Sequence, residues 1–149
     1  MMNVYPKAEF SAQHSGFLFD VTDRMQPVMT KLKMYEATRG IWHKIPSELN
    51  LKFAFAIVKN VIKEVYSIES WEPANLSSFT TRKFRKRNVD DYYQFVGTLA
   101  PDDVRKMFKN KRVTLDLNEL KVDFLTVGLD NIEQTDKASL SLNQHLKVD

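Results

Sequence analysis

The feature that most constrains the fold is the apolar segment from Phe53 to Ile68. Most of its apolar residues are β-branched, and β-branched side chains favour strands. Lys59-Asn60 lies at its centre, and Asn tolerates the positive φ of a two-residue hairpin turn. The same apolar residues also fall on one face of a helix. We therefore favour two strands, Phe53–Val58 and Val61–Ile68, over the alternative of a single helix.

Other segments predict further short elements. Strands are indicated at Phe17–Val21, Tyr92–Leu99, Val113–Leu117 and Val122–Val127. A helix through Met25–Met34 is expected after Thr22 or Asp23 as its cap. A second helix is expected to open at Pro101, because two acids then occupy its first turn. Ser47–Leu51 is expected to form a turn or a single helical turn.

These elements predict an α+β fold. Helices and strands do not alternate regularly, which argues for a small, mostly antiparallel sheet or a small barrel, with two or three helices. The chain of 149 residues is the size of one domain. We expect a single domain over residues 1–132. Residues 133–149 form a polar tail without aromatic residues.

Composition argues against several classes of function. The chain has no Cys, and its three His are not spaced as metal ligands. Its four Gly are dispersed, so no phosphate-cradling loop is indicated. We therefore predict no catalytic residue, no metal and no cofactor. No apolar run of about 20 residues and no signal-peptide pattern is seen, so we expect no membrane partner and a cytoplasmic location, in the host if the source is a virus.

A basic run is the strongest local indication of function. Five of six consecutive positions are cations: Arg82, Lys83, Arg85, Lys86 and Arg87. Phe84 interrupts them, and Tyr92 follows shortly after. Cations neutralise phosphates, and aromatic faces stack unpaired bases. The segment therefore predicts a non-catalytic nucleic-acid-binding module, for RNA or DNA.

Two other interpretations of the basic run stay open. The run is also typical of a solvated loop, or of a loop that docks on an acidic protein surface. The second case describes a protein–protein adaptor or inhibitor, such as a phage-type antagonist of a host factor. A second basic group, between Arg105 and Arg112, enlarges the patch only if it lies beside the loop.

Part of the chain resembles the PUA-like superfamily of small β-barrels, which includes the ASCH, EVE and SRA types. The resemblance covers about Tyr35 to Val113. It rests on Tyr35-Glu-Ala-Thr-Arg-Gly-Ile-Trp42, Phe53-Ala-Phe-Ala-Ile-Val, Ile62-Lys-Glu-Val-Tyr-Ser-Ile68 and Trp71. It implies a barrel that binds RNA, or DNA with a modified base, in a cleft beside aromatic residues. Arg39, Trp42 and Trp71 are then cleft candidates, although both Trp also suit a core.

Overall fold

The computed structural model describes residues 5–85 and 88–129. Its strands are β1 (Gly16–Asp20), β2 (Trp42–His43), β3 (Phe53–Val58), β4 (Val61–Pro73), β5 (Tyr92–Leu99) and β6 (Phe124–Val127). Its α-helices are α1 (Lys31–Arg39), α2 (Asp102–Phe108) and α3 (Leu117–Leu120). Short 3₁₀ turns cover Ala12–His14, Thr22–Arg24, Ser47–Leu49 and Leu76–Ser78. Together they form a small α+β fold.

The central hairpin is confirmed, although its second strand runs to Pro73 rather than ending at Ile68. The single-helix alternative is wrong. Strands β3 and β4 pair antiparallel with Val58 opposite Val61. Lys59 and Asn60 both have positive φ, at 50° and 67°. Positive φ at both central residues defines the turn whose twist matches the flanking strands.

The six strands form one mixed sheet in the order β2-β5-β4-β3-β1-β6, which curls into a half-barrel. Its pairs are antiparallel except β1 with β3, which is parallel. The expectation of a mostly antiparallel sheet is therefore confirmed. Buried apolar residues run almost continuously through β1 and β3, as expected for inner strands covered on both faces.

Each face of the sheet carries its own core. Phe17 and Phe19 lie in the core that α1 covers through Ala37. Leu18, between them, lies in the other core, which α2 covers through Val104 and Phe108. Because successive side chains of a strand point to opposite faces, α1 and α2 lie on opposite sides of the sheet.

The helix predicted over Met25–Met34 is wrong in position. Thr22 donates its hydroxyl and backbone N–H to the Asp20 carboxylate, and only a 3₁₀ turn follows. Helix α1 begins after Thr30, whose side-chain oxygen accepts a hydrogen bond from the Lys33 N–H. A side-chain cap of this kind satisfies a backbone donor that has no partner within the helix.

The strand predicted over Val113–Leu117 is also wrong. Val113 and Leu117 are buried, but the segment between them turns. The Asp116 carboxylate accepts hydrogen bonds from the N–H groups of Asn118 and Glu119, which starts α3 at Leu117. The local cap therefore outweighs the period-two pattern.

The other predicted elements are confirmed with small shifts in their bounds. Strand β5 has the predicted bounds, the turn after Ser47 is a 3₁₀ turn, and α2 begins directly after Pro101. Strand β6 begins at Phe124 rather than Val122. The predicted tail, 133–149, lies outside the described residues. No helix of the described part is long and apolar enough to span a membrane.

Candidate nucleic-acid interface

The basic run lies in the loop between β4 and β5, residues 74–91, which is called the basic loop below. One carboxylate of α1 holds this loop by hydrogen bonds. Glu36 is only 3% exposed. It accepts hydrogen bonds from the Thr81 N–H and hydroxyl, each at 2.6 Å, and from the Thr80 N–H at 3.0 Å. Burial raises the pKa of Glu36, but the hydrogen bonds from Thr81 and Thr80 outweigh it, so the pKa lies below its ordinary value. The carboxylate therefore stays charged and fixes the start of the basic run.

Two arginines meet at the carboxyl end of α1. Arg24 Nη1 donates to the carbonyl oxygens of Ala37, at 2.6 Å, and Gly40, at 2.9 Å. Arg82 Nη1 donates to the same Gly40 oxygen and to the Glu36 carbonyl. The carbonyls at a helix carboxyl end lack partners within the helix and carry partial negative charge. They therefore draw both guanidiniums to one point.

Aromatic rings hold these guanidiniums in place. The Arg24 guanidinium lies 4.0 Å from the centroid of a Trp42 ring. Arg82 lies 4.5 Å from the Phe84 ring centroid and 5.6 Å from that of Phe79. Phe79 and Phe84 contact each other edge to face at 5.2 Å. The basic loop thus packs back on its own aromatic residues and on α1.

The structure separates the predicted cations into two groups. Arg82 is partly buried and turned towards α1, whereas Lys83 and Arg85 are exposed. Lys86 and Arg87 lie outside the described residues. Phe84 is partly buried rather than fully exposed, because the Arg82 guanidinium lies over its ring and Phe79 contacts it edge to face.

Arg39 and Trp42, predicted as cleft residues, lie in the interior. Trp42 is 2% exposed, stacks on Phe19 at 4.4 Å and donates its indole N–H to the Thr38 carbonyl. Arg39 is 8% exposed, donates Nε–H to the Phe95 carbonyl and lies 3.8 Å from the Glu72 carboxylate. In this conformation both side chains have structural partners, and neither is open to a base.

Trp71 and Tyr92 keep part of their surface exposed. Trp71 contacts Phe17 and Phe95 edge to face. Tyr92 stacks on His43 at 4.6 Å, where β2 pairs with β5. His43 lies on β2, an edge strand of the sheet, and Tyr92 lies beside it on β5.

The second basic group does not enlarge this patch. Arg105 and Lys109 contact the Glu64 carboxylate at 2.8 and 3.4 Å. Burial raises the pKa of Glu64, but the Arg105 hydrogen bond and the other nearby donors and charges lower it below its ordinary value. Helix α2 lies on the face of the sheet opposite α1. These cations therefore belong to a separate, internally paired surface.

Sequence reasoning missed Arg24 and Glu36. Arg24 lies between the predicted cap at Thr22 or Asp23 and Met25, and Glu36 lies in the Tyr35–Trp42 segment that carries the resemblance to PUA-like domains. Nothing local in either segment indicates that they meet the basic loop. Among the described residues, no group of three or more His, Cys, Asp or Glu is placed to hold a metal ion.

Comparisons of this chain with protein-family models, with curated proteins and with solved structures find no match. Its function is therefore argued from its own residues.

Proposed function

We propose that this protein binds nucleic acid, without acting on it chemically, at the surface formed by the carboxyl end of α1 and the basic loop. The observation that carries the proposal is the Glu36 anchor, which holds the loop against α1. A loop that served only solubility has no need of a buried carboxylate to fix it. Lys83 and Arg85, which follow the anchored threonines in the chain, are exposed.

Charge and exposed ring surface support the same proposal. Lys83 and Arg85 are solvent-exposed cations suited to phosphate contacts. Tyr92 and His43 form a partly exposed aromatic stack between β5 and β2, and such a stack suits an unpaired base. The resemblance to PUA-like domains agrees with this proposal in kind, and it stays a prediction.

The experiment is a salt series with labelled oligonucleotides. Fluorescence anisotropy is measured with single-stranded RNA, single-stranded DNA and duplex DNA from about 20 to 200 mM salt, a range over which phosphate contacts dominate affinity. We expect affinity to fall steeply with salt. In Lys83→Gln/Arg85→Gln the slope for a single strand falls by about 1.4, because each lost phosphate contact removes about 0.7.

A matched control removes two cations from the opposite side. Lys106 and Arg112 are exposed, so Lys106→Gln/Arg112→Gln has the same loss of net charge away from the loop. We expect it to leave the slope nearly unchanged. Equal effects of the two double variants, or no salt-dependent binding to any of the three oligonucleotides, would refute the proposal.

A further inference from the structure

The arginine pair at the end of α1 brings two positive charges to one acceptor. Arg24 and Arg82 both donate to the Gly40 carbonyl oxygen, so two like charges lie within a few ångströms of one acceptor. Burial and the charge of Arg82 lower the pKa of Arg24 to about 9, although Asp123, Asp20 and Asp23 act in the opposite direction. Burial likewise lowers the pKa of Arg82, against the effect of Glu36. Both guanidiniums are still protonated at neutral pH, and their burial as charged groups opposes the stability of the fold.

Much of the hydrogen-bonding capacity of the pair is also unused. Each guanidinium has five N–H donors. Among the described residues, the hydrogen bonds of Arg24 and Arg82 all come from Nη1. Their Nε and Nη2 groups are the donors with which a guanidinium binds a phosphate through two parallel hydrogen bonds.

The positions of the two guanidiniums are fixed before any ligand arrives. Trp42 lies beside Arg24 and Phe84 beside Arg82, while the Glu36 anchor holds the backbone next to Arg82. The carboxylate of Glu36 itself is occupied by the threonines, so it does not form an ion pair with Arg82 among the described contacts. Two guanidiniums that are already held in place lose little conformational entropy when they bind a ligand.

We propose that Arg24 and Arg82 together form a binding site for one phosphate group, held between their Nε and Nη2 donors. The proposal rests on the proposed function in taking that phosphate from a nucleic-acid strand, and it adds Arg24, which lies outside the basic run. A phosphate dianion or diester there offsets the repulsion between the two cations and uses their remaining donors.

The test is NMR of the wild-type protein, observing the arginine Nε–H signals. Inorganic phosphate and a short single-stranded oligonucleotide are added in separate titrations at low salt. We expect the Arg24 and Arg82 signals to shift with both probes and to saturate together. The exposed Arg112 serves as the control signal and is expected to move little.

Charge-preserving variants provide a second experiment on the same site. Arg24→Lys and Arg82→Lys keep the positive charge but lose the planar fork. We expect each to weaken binding of inorganic phosphate on the order of tenfold, about 1.4 kcal/mol, while Arg112→Lys leaves it unchanged. Because the wild-type titration needs no variant, a variant that fails to fold does not remove the test.

The outcomes separate this inference from the proposed function. Salt-dependent oligonucleotide binding without a shift of the Arg24 and Arg82 signals would overturn the phosphate site and leave the function standing. A saturable phosphate response without any oligonucleotide binding would keep the site and assign it to a free phosphate compound instead. Absence of both responses would overturn both.

Discussion

Replacing Glu36 with Gln tests the contact on which the proposed surface depends. The carboxylate is buried, and its two oxygens accept the N–H groups and hydroxyls of Thr80 and Thr81. In Gln one oxygen becomes an NH₂ group. If the remaining oxygen faces Thr81, the Thr80 N–H keeps one acceptor there but meets an NH₂ group in place of the second.

The size of the effect follows from the bonds that change. A hydrogen bond to a charged group contributes about 1.5–3 kcal/mol and a neutral one about 0.5–1.5 kcal/mol. The two short bonds from Thr81 each weaken by about 1 kcal/mol, and weakening of the shared Thr80 bond beside a second donor adds about 1–2 kcal/mol. We therefore expect Glu36→Gln to lower the free energy of unfolding by about 3–4 kcal/mol, a large part of the stability of an ordinary domain.

Urea unfolding measures this change as a lower midpoint at constant slope. Native-state hydrogen exchange of the Thr80 and Thr81 amides reports the anchor directly. The exposed Glu69 is the matched control, and we expect Glu69→Gln to change the free energy by less than about 0.5 kcal/mol. A loss below about 1 kcal/mol in Glu36→Gln, with both threonine amides still protected, would contradict the reasoning.

The same contact predicts a pH dependence. The pKa of Glu36 is lower in the folded protein than its ordinary value. Its contribution to stability is therefore complete at neutral pH and is lost as the pH falls through the folded-state pKa. The variant lacks this ionisation, so the difference in stability between wild type and Glu36→Gln should shrink in acid. A difference that stays constant down to low pH would show that charge is not its cause.

Two backbone positions give further predictions. A Cβ at Gly97 would collide with the Ser67 carbonyl oxygen of the neighbouring strand. We therefore expect Gly97→Ala to lower the free energy of unfolding, measured with urea, by about 1–3 kcal/mol. A change below about 0.5 kcal/mol would show that the two strands separate easily at this position. Lys59 has a positive φ, a conformation that Asn adopts more easily than Lys. We therefore expect Lys59→Asn to raise the free energy of unfolding by about 0.5–1 kcal/mol and with it the thermal midpoint. A lower midpoint would contradict this account of the turn.

The sequence predicted those parts of the fold whose causes are local. The β3–β4 hairpin was predictable because its β-branched residues flank a two-residue turn that Asn60 can complete. Strand β5 and helix α2 were predictable because Pro101 and the two acids after it separate them clearly. The basic loop was also predicted as a loop, since Ala74 to Asn88 lacks any apolar period.

The errors occurred where side-chain hydrogen bonds, rather than the spacing of apolar residues, determine the local backbone conformation. Thr22 or Asp23 was predicted as a helix cap, but Thr22 bonds to Asp20, and the helix begins only after Thr30. Asp116 was predicted inside a strand, yet its carboxylate caps α3. Such competition between short polar side chains and a regular element depends on a few ångströms of backbone geometry, which apolar spacing does not specify.

The candidate site was only half predictable for a different reason. Its exposed cations are neighbours in sequence, so their charge was evident as a run. The groups that orient them come from distant segments: Glu36 lies on α1 and Arg24 on the turn after β1. Their meeting requires the parallel pairing of β1 with β3, and long-range pairing of this kind leaves no local signal in one sequence.

The end of α1 explains why charge collects here at all. Its terminal carbonyls lack helix partners, so they attract cations whether or not a ligand exists. The Gly40 oxygen accepts hydrogen bonds from both arginines, with Arg24 at 2.9 Å. The second guanidinium adds repulsion and leaves donors unused, which stability alone does not favour. Repulsion between two cations at one acceptor is a pattern found at binding sites, and it supports the proposal that an anion with several oxygens engages both guanidiniums.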